Sequence, residues 1–449
     1  MYPEISEDER FPIISPQGRQ LLHRMRQHPY APVWNWPNGE QLDHAGLESV
    51  RDFAEALNRD RSPQTERAPD WVADFVDFCL AEVPFYRRGN SPGTRFHEIP
   101  SCSRADLAPK VWEFVPDRES LEQLIVFSSS GTTGHPSRMP SHPATAACGI
   151  PMIEYALSRY GIAFPRGSDS VGLTNIASYR DAFTTAIVVS YLQESGCVRV
   201  NLHPTAWRSP KDCEKYLNEW RSPIWLGDPI AFADLEKIDL SEPPKAIVSS
   251  IMRLSDGLAD HLTRRFGCPV LDLYALTEAG IIALRTDRGH EVLPHDVYVE
   301  ILDEHDAPCR TGTRGEITIT SGRNPYMPLL RYRTGDFASL EHRDGKVFLI
   351  GLEGRIPVEF PLPSGRIVHS MEVTRLMRQH PLLQYHLHQD ATGRFQFAYR
   401  GNIDERALTQ QLFSLLENPE NLTIRQFTAT NASARKIPEY ESEFKTRGS

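Results

Sequence analysis

Ser130-Gly131-Thr132-Thr133-Gly134-His135 follows the apolar run 124–127 after two intervening residues. Gly131 and Gly134 can take positive φ and turn backbone N–H groups toward an anion. Ser128, Ser129, Ser130, Thr132 and Thr133 add hydroxyl donors suited to phosphate oxygens. The Gly-Lys-Ser/Thr ending of a P-loop is missing, so this is a different phosphate grip. Three later segments carry matching chemistry. In the first, an apolar strand runs into Tyr274, Ala275, Thr277, Glu278 and Gly280. A tyrosine face can stack on a purine, and a carboxylate beside phosphates can hold Mg²⁺. In the second, Asp336 follows Thr334-Gly335 at an expected strand end, placed to accept from ribose hydroxyls. In the third, Arg355 follows Gly354 in a glycine turn.

In that order, these four segments resemble the adenylate-forming ligases: acyl-CoA synthetases, luciferases and peptide-synthetase adenylation domains. Within that superfamily the chain looks most like the phenylacetate–CoA ligase branch. Val83-Pro84-Phe85-Tyr86-Arg87, Ile99-Pro100-Ser101 with Arg104-Ala105-Asp106-Leu107, and His295-Asp296-Val297-Tyr298-Val299-Glu300 carry the branch likeness. It runs from about Val83 to the C-terminus.

The resemblance implies roles. Ser129, Ser130, Gly131, Thr132, Thr133 and Gly134 would cradle the phosphates of ATP. Tyr274 and Ala275 would flank the adenine, and Asp336 would take the ribose. Thr277 would contact the α-phosphate, Glu278 would bind Mg²⁺, and Arg355 would assist from a domain junction. Lys436 would stabilise charge during adenylation from the C-terminal domain, with Arg435 standing where the branch has glycine. An acid pocket would be lined from Tyr179, Phe183, Trp225, Gly227, Ser249 and Gly280, whose aromatics favour a flat acid.

The chain departs from the pattern at three places. His135 replaces the usual lysine of the phosphate loop. No Gly-Glu follows the expected strand ending at Ser250. Arg355 continues into Ile356-Pro357 rather than Ser-Asp-Asp, and proline is a poor swivel because its φ is fixed.

The expected activity is ATP-dependent, AMP-forming activation of a small aromatic carboxylic acid, followed by thioester formation with CoA. Two rivals stay open: transfer of the activated group to an amine, a carrier-protein thiol or another small nucleophile in specialised biosynthesis, and a non-catalytic nucleotide-binding homologue. The partners expected are a small-molecule acid and its acceptor. A homodimer is left open.

At 449 residues the chain exceeds one ordinary core. Its 40% hydrophobic and 24% charged residues suit a globular protein. A net charge of −10 argues against nucleic-acid or anionic-membrane partners. The seven cysteines form no Cys-x-x-Cys pair, so reduced thiols and a cytoplasmic setting are expected. The opening residues are acidic and do not read as a secretory leader.

The elements that must position the chemistry follow from periodicity. Residues 1–120 read as a mostly helical part of a large domain. Residues 121–354 alternate strands with helices and read as an α/β core with parallel strands. Expected strands cover 170–174, 223–226 and 245–250, with helices at 181–192 and 255–266. Strands at 297–302, 315–320 and 346–350 without intervening helices read as a small antiparallel β subdomain. Residues 355–449 read as a small α+β lid, ferredoxin-like in outline.

Overall fold

The computed structural model describes residues 5–59, 67–129, 137–179, 182–250, 252–354, 358–377, 379–417, 422–427 and 439–444. Its centre is a run of parallel strands: Val270–Leu276, Ala246–Ser249, Ile224–Gly227, Val171–Ala177 and Ser195–Asn201, in that spatial order. Short apolar runs of this kind suit strands covered on both faces. Trp225, Ile247 and Ile176 face one core with Leu21, Tyr216, Phe232 and Leu262. Ile224, Val248 and Leu173 face the other, against Met152, Ala156 and Leu157 of helix Gly149–Ser158. Neighbouring residues therefore enter opposite layers.

One expected element is different. In place of a helix over 181–192 the chain forms strand Thr185–Val189, pairing antiparallel with Ser195–Asn201, and a 3₁₀ turn at Ser190–Leu192. The apolar Ala186, Val188 and Val189 are β-branched or small, and edge pairing outweighs their weak helical period.

The antiparallel strands continue the same sheet. Gly280–Thr286 turns back on Val270–Leu276, and Gly289–Val292, Lys346–Gly354, Leu329–Arg343, Arg314–Ser321 and Val297–Leu302 follow outward. Arg343-Asp344-Gly345 closes the Leu329–Arg343/Lys346–Gly354 hairpin, with Asp344 and Gly345 at positive φ. Ile125–Ser129 and Ser137–Ser141 pair antiparallel in a separate two-stranded sheet.

Beyond 358 the chain builds its own core around Phe360, Leu387, Phe397, Leu408 and Leu412. A four-stranded sheet runs Leu422–Gln426, Phe395–Gly401, Leu382–Gln389, Tyr440–Ser442. The strand expected near 366 pairs instead with Glu359–Pro361 in a two-stranded ribbon, so the ferredoxin-like outline is altered at its first strand. This unit rests on the segment after Ala246–Ser249. Ser255 Oγ donates to His380 O at 3.2 Å, and Arg253 Nη1 lies 3.6 Å from Glu439 Oε2. A Cβ on Gly257 would meet His380 backbone carbon at 2.6 Å, so glycine permits this close approach.

All seven cysteines are free. Burial raises every thiol, with Cys102, Cys197 and Cys213 at about 12 and Cys268 at about 11. Among the described residues no helix is long and apolar enough to cross a membrane.

Candidate active site

Two carboxylates are fixed by two tyrosines across the sheet. Strand Val270–Leu276 ends in a tight turn, and Gly280 at φ +68 starts the return strand opposite Leu276. Thr277 is exposed in that turn, whereas Glu278 is 6% exposed. Tyr332 of the long strand Leu329–Arg343 donates its hydroxyl to Glu278 Oε1 at 3.1 Å. Arg104 Nη1 lies 3.7 Å from the same oxygen. Four residues along the same strand stands Asp336, and Tyr274 donates to its Oδ2 at 2.8 Å. Each strand thus supplies one tyrosine and its own strand or turn one carboxylate, exchanged crosswise. Burial and the facing carboxylates hold both phenols far above their ordinary titration range, so both remain donors.

Asp336 is mid-strand rather than at a strand end. Gly335 at φ +79 and the register shifts around it let the strand bulge there. Glu316 secures the bulge: it accepts from Gly335 N at 3.0 Å and pairs with Arg333 Nη1 at 2.7 Å. Asp336 sits opposite Gly354, next to the start of the expected junction.

Behind the bulge, Arg331 is buried at φ +47 and donates to Ile99 O at 2.7 Å and Asp306 O at 3.1 Å. Its partner Glu300 is pushed up to about 7 by burial, which the Arg331 charge only partly opposes. Asp306 goes the other way: burial would raise it, but hydrogen bonds from Ser101 and Arg333 hold it at about 2.

A cavity of about 720 Å³ opens beside the turn. Ala275, Thr277, Glu278 and Gly280 line it, together with Phe127, Ser141 and His142 from the Ile125–Ser129/Ser137–Ser141 pair and the residue after it. Gly280 is the member of the expected acid pocket that reaches it. Trp225 is 2% exposed in the helix-covered core, with its Nε1 donating to Ser222 O at 2.6 Å. Phe183 is 38% exposed beneath the Arg199 guanidinium. Tyr179 is held by Asn201 through its backbone. Gly227 and Ser249 are buried partners at the ends of adjacent parallel strands. None of these five lines the cavity.

Ser130, Gly131, Thr132, Thr133, Gly134, Arg355 and Lys436 lie outside the described residues, as do His135, Pro357 and Arg435. Ser129 is placed as the last residue of its strand. Sequence reasoning missed Tyr332 and Arg104 as partners of Glu278. Tyr332 stands four residues before Asp336 in the same strand, and that spacing is its signal.

Residues 104–324 match the family model described as AMP-binding enzyme. The phenylacetate-coenzyme A ligase of Escherichia coli (strain K12) is 30% identical over 92 residues, 19% of this chain and 21% of the relative. Protein CapK of Staphylococcus aureus is 20% identical over 286 residues, 60% of this chain and 61% of the relative. The chain therefore matches less than two thirds of the length of these curated relatives. The crystal structure of 2-hydroxyisobutyryl-CoA ligase in the postadenylation state in complex with 2-HIB-AMP superposes with a TM-score of 0.59 at 14% identity, covering 89% of each chain. At that identity the likeness shows the fold.

Proposed function

We propose, for a chain that carries an AMP-binding family domain on the fold of the adenylate-forming ligases, that it activates a small carboxylic acid with ATP. The observation that carries this reading is the crossed pair Tyr274–Asp336 and Tyr332–Glu278, with Glu278 lining the cavity.

A carboxylate does not acylate a thiol or an amine, because its leaving group would be oxide. In the proposed first step the acid's oxygen attacks the α-phosphorus of ATP and pyrophosphate departs, leaving an acyl-adenylate. The Asp336 carboxylate, oriented by Tyr274, accepts from the ribose hydroxyls. Thr277 is exposed in the turn and donates toward the α-phosphate. The 130–134 loop supplies further donors. Glu278 fits Mg²⁺, which is commonly held by one or two carboxylates together with substrate phosphates; bound there, the ion would neutralise phosphate charge. Lys436 would add a cation from the C-terminal segment. In the second step the thiol of CoA attacks the acyl carbon and AMP leaves.

Acid-dependent exchange of labelled pyrophosphate into ATP tests the first step, and thioester formation on adding CoA tests the second. Exchange without thioester would favour the other acceptor class, an amine or a carrier thiol. Pro357 at the junction is the observation behind that second reading, since a fixed φ opposes the swivel that would admit CoA.

A further inference from the structure

The 720 Å³ cavity falls in the ordinary range for small-molecule sites, yet the aromatic residues expected to form the acid pocket do not line it. Its walls are of two kinds. Phe53, Cys148, Met152 and Ile281 make an apolar side, drawn from helices His44–Arg59 and Gly149–Ser158 and the strand after the Glu278 turn. Burial pushes the Cys148 thiol up to about 12, so it lines that side as a neutral group. His295 and Asp296 line the same cavity, His295 against the Phe53 ring.

These two were part of a motif that the ATP-binding reading leaves unused. They are consecutive residues at positive φ, 71° and 55°, and neither is glycine. His295 Nε2 lies 2.9 Å from Asp296 Oδ2. The Phe53 ring is 5.5 Å from the imidazole. Arg323 ties this corner to the catalytic turn: Nη1 donates to Ile281 O at 2.5 Å and Nη2 to His295 O at 2.8 Å. One guanidinium therefore sets the distance between the strand leaving Glu278 and the His–Asp pair.

We propose that this cavity is the acyl pocket, and that His295 and Asp296 select an acid bearing a hydrogen-bond donor, an amine or a hydroxyl, at the end remote from its carboxylate. The inference rests on the adenylation reading above. The carboxylate end of such an acid faces Thr277 and Glu278, and its body lies on Phe53, Met152 and Ile281. Its donor reaches Asp296, which has lone pairs beyond the one taken by His295. A plain hydrocarbon acid would leave the pair without that partner.

The test uses the full chain with ATP, Mg²⁺ and labelled pyrophosphate. The probes are benzoate, 4-hydroxybenzoate and 4-aminobenzoate, with butanoate, 4-hydroxybutanoate and 4-aminobutanoate beside them. At least one substituted acid is expected to exceed its parent by about tenfold or more in kcat/KM. Comparison of the amine and hydroxyl arms identifies the donor. Asp296→Asn keeps a side chain that tolerates positive φ, so the backbone is retained while the charge is lost. It should collapse the preference toward unity, chiefly through KM. Met152→Phe should shrink the pocket and cost the aromatic acids more than the aliphatic ones.

Equal rates for parents and derivatives, or a preference untouched by Asp296→Asn, would overturn the inference alone. So would a preference that follows Ser249→Val instead, which would return the pocket to the parallel strand ends. Exchange with none of the six also overturns it. The ATP reading is then judged separately, by whether ATP protects the chain against thermal unfolding and Asp336→Asn abolishes that protection.

Discussion

Glu278 and Asp336 are equivalent in type but differ in what surrounds them. Glu278 is enclosed and receives a phenol and a nearby guanidinium, while Asp336 lies mid-strand and receives the Tyr274 phenol. Replacing either carboxylate by its amide should lower pyrophosphate exchange by roughly 10²–10³, the usual cost of one preorganised charge contact. Circular dichroism should show both variants folded. Tyr274→Phe and Tyr332→Phe remove only the orienting bond. We expect about a tenfold loss from each, consistent with one hydrogen bond to a charged group. The assay separates the two: Tyr274→Phe should raise the KM for ATP, and Tyr332→Phe should raise the Mg²⁺ requirement. A Tyr332→Phe enzyme with unchanged Mg²⁺ dependence would remove the metal role from Glu278. The carboxylates and Tyr274 were legible in the sequence because each follows a strand-like run with a glycine close by. Their mutual pairing was not, since 62 residues separate Tyr274 from Asp336 and no local pattern encodes a long-range register.

At the scale of elements, periodicity found strands 224–227, 246–249 and 297–302 to within a residue, and strand 171–177 with its end three residues short. It failed at 185–189, where an almost wholly apolar and buried edge strand carries no two-residue alternation. It also missed that the antiparallel strands extend the parallel sheet, because the join depends on one reversal at Gly280. The C-terminal unit docks through Arg253, whose Nη1 is 3.5 Å from Thr374 Oγ1 and 3.6 Å from Glu439 Oε2. Thr374, Tyr385 and Tyr440 form one hydroxyl chain behind that contact. Arg253→Ala should loosen this seat. Limited trypsin digestion should then cut between the large unit and the residues after 358 several times faster, with the large unit itself no more sensitive. Unchanged digestion would show that Ser255 and Gly257 hold the seat alone.

For the molecule as a whole, buried carboxyls set how stability responds to pH. Glu40 is raised from 4.5 to about 7 by burial, which outweighs its hydrogen bonds from Ser190 N at 2.8 Å and Ser190 Oγ at 2.6 Å. Between those two values the native chain keeps a proton that the unfolded chain has released. Stability from this group is therefore full at the acid end and falls as pH rises through the window. Glu40→Gln retains an acceptor for Ser190 without the charge. It should raise Tm at pH 8 by roughly 2–4 °C and change little at pH 5. An equal gain at both values would trace the effect to packing. The cavity proposed as the acid pocket was the least legible part of the molecule. Large aromatics such as Trp225 serve core packing as readily as a ligand, and His295 and Asp296 reach the cavity only through a left-handed turn that Arg323 holds in place.

The seven concealed thiols make the chain its own clock. A thiol reacts with iodoacetamide as the thiolate, and burial suppresses that form at every one of these positions. At the fully buried Cys79, Cys102, Cys213 and Cys268 modification must then wait for the fold to open, and the order of labelling reads out which region opens first. Cys309, part-exposed beside Arg314, should label earliest, and Cys79 and Cys102 under the long strand last. Mass spectrometry of timed samples resolves the order. Saturating ATP should slow the late group, whose exposure requires the sheet around Glu278 and Asp336 to come apart, and leave Cys309 at its original pace.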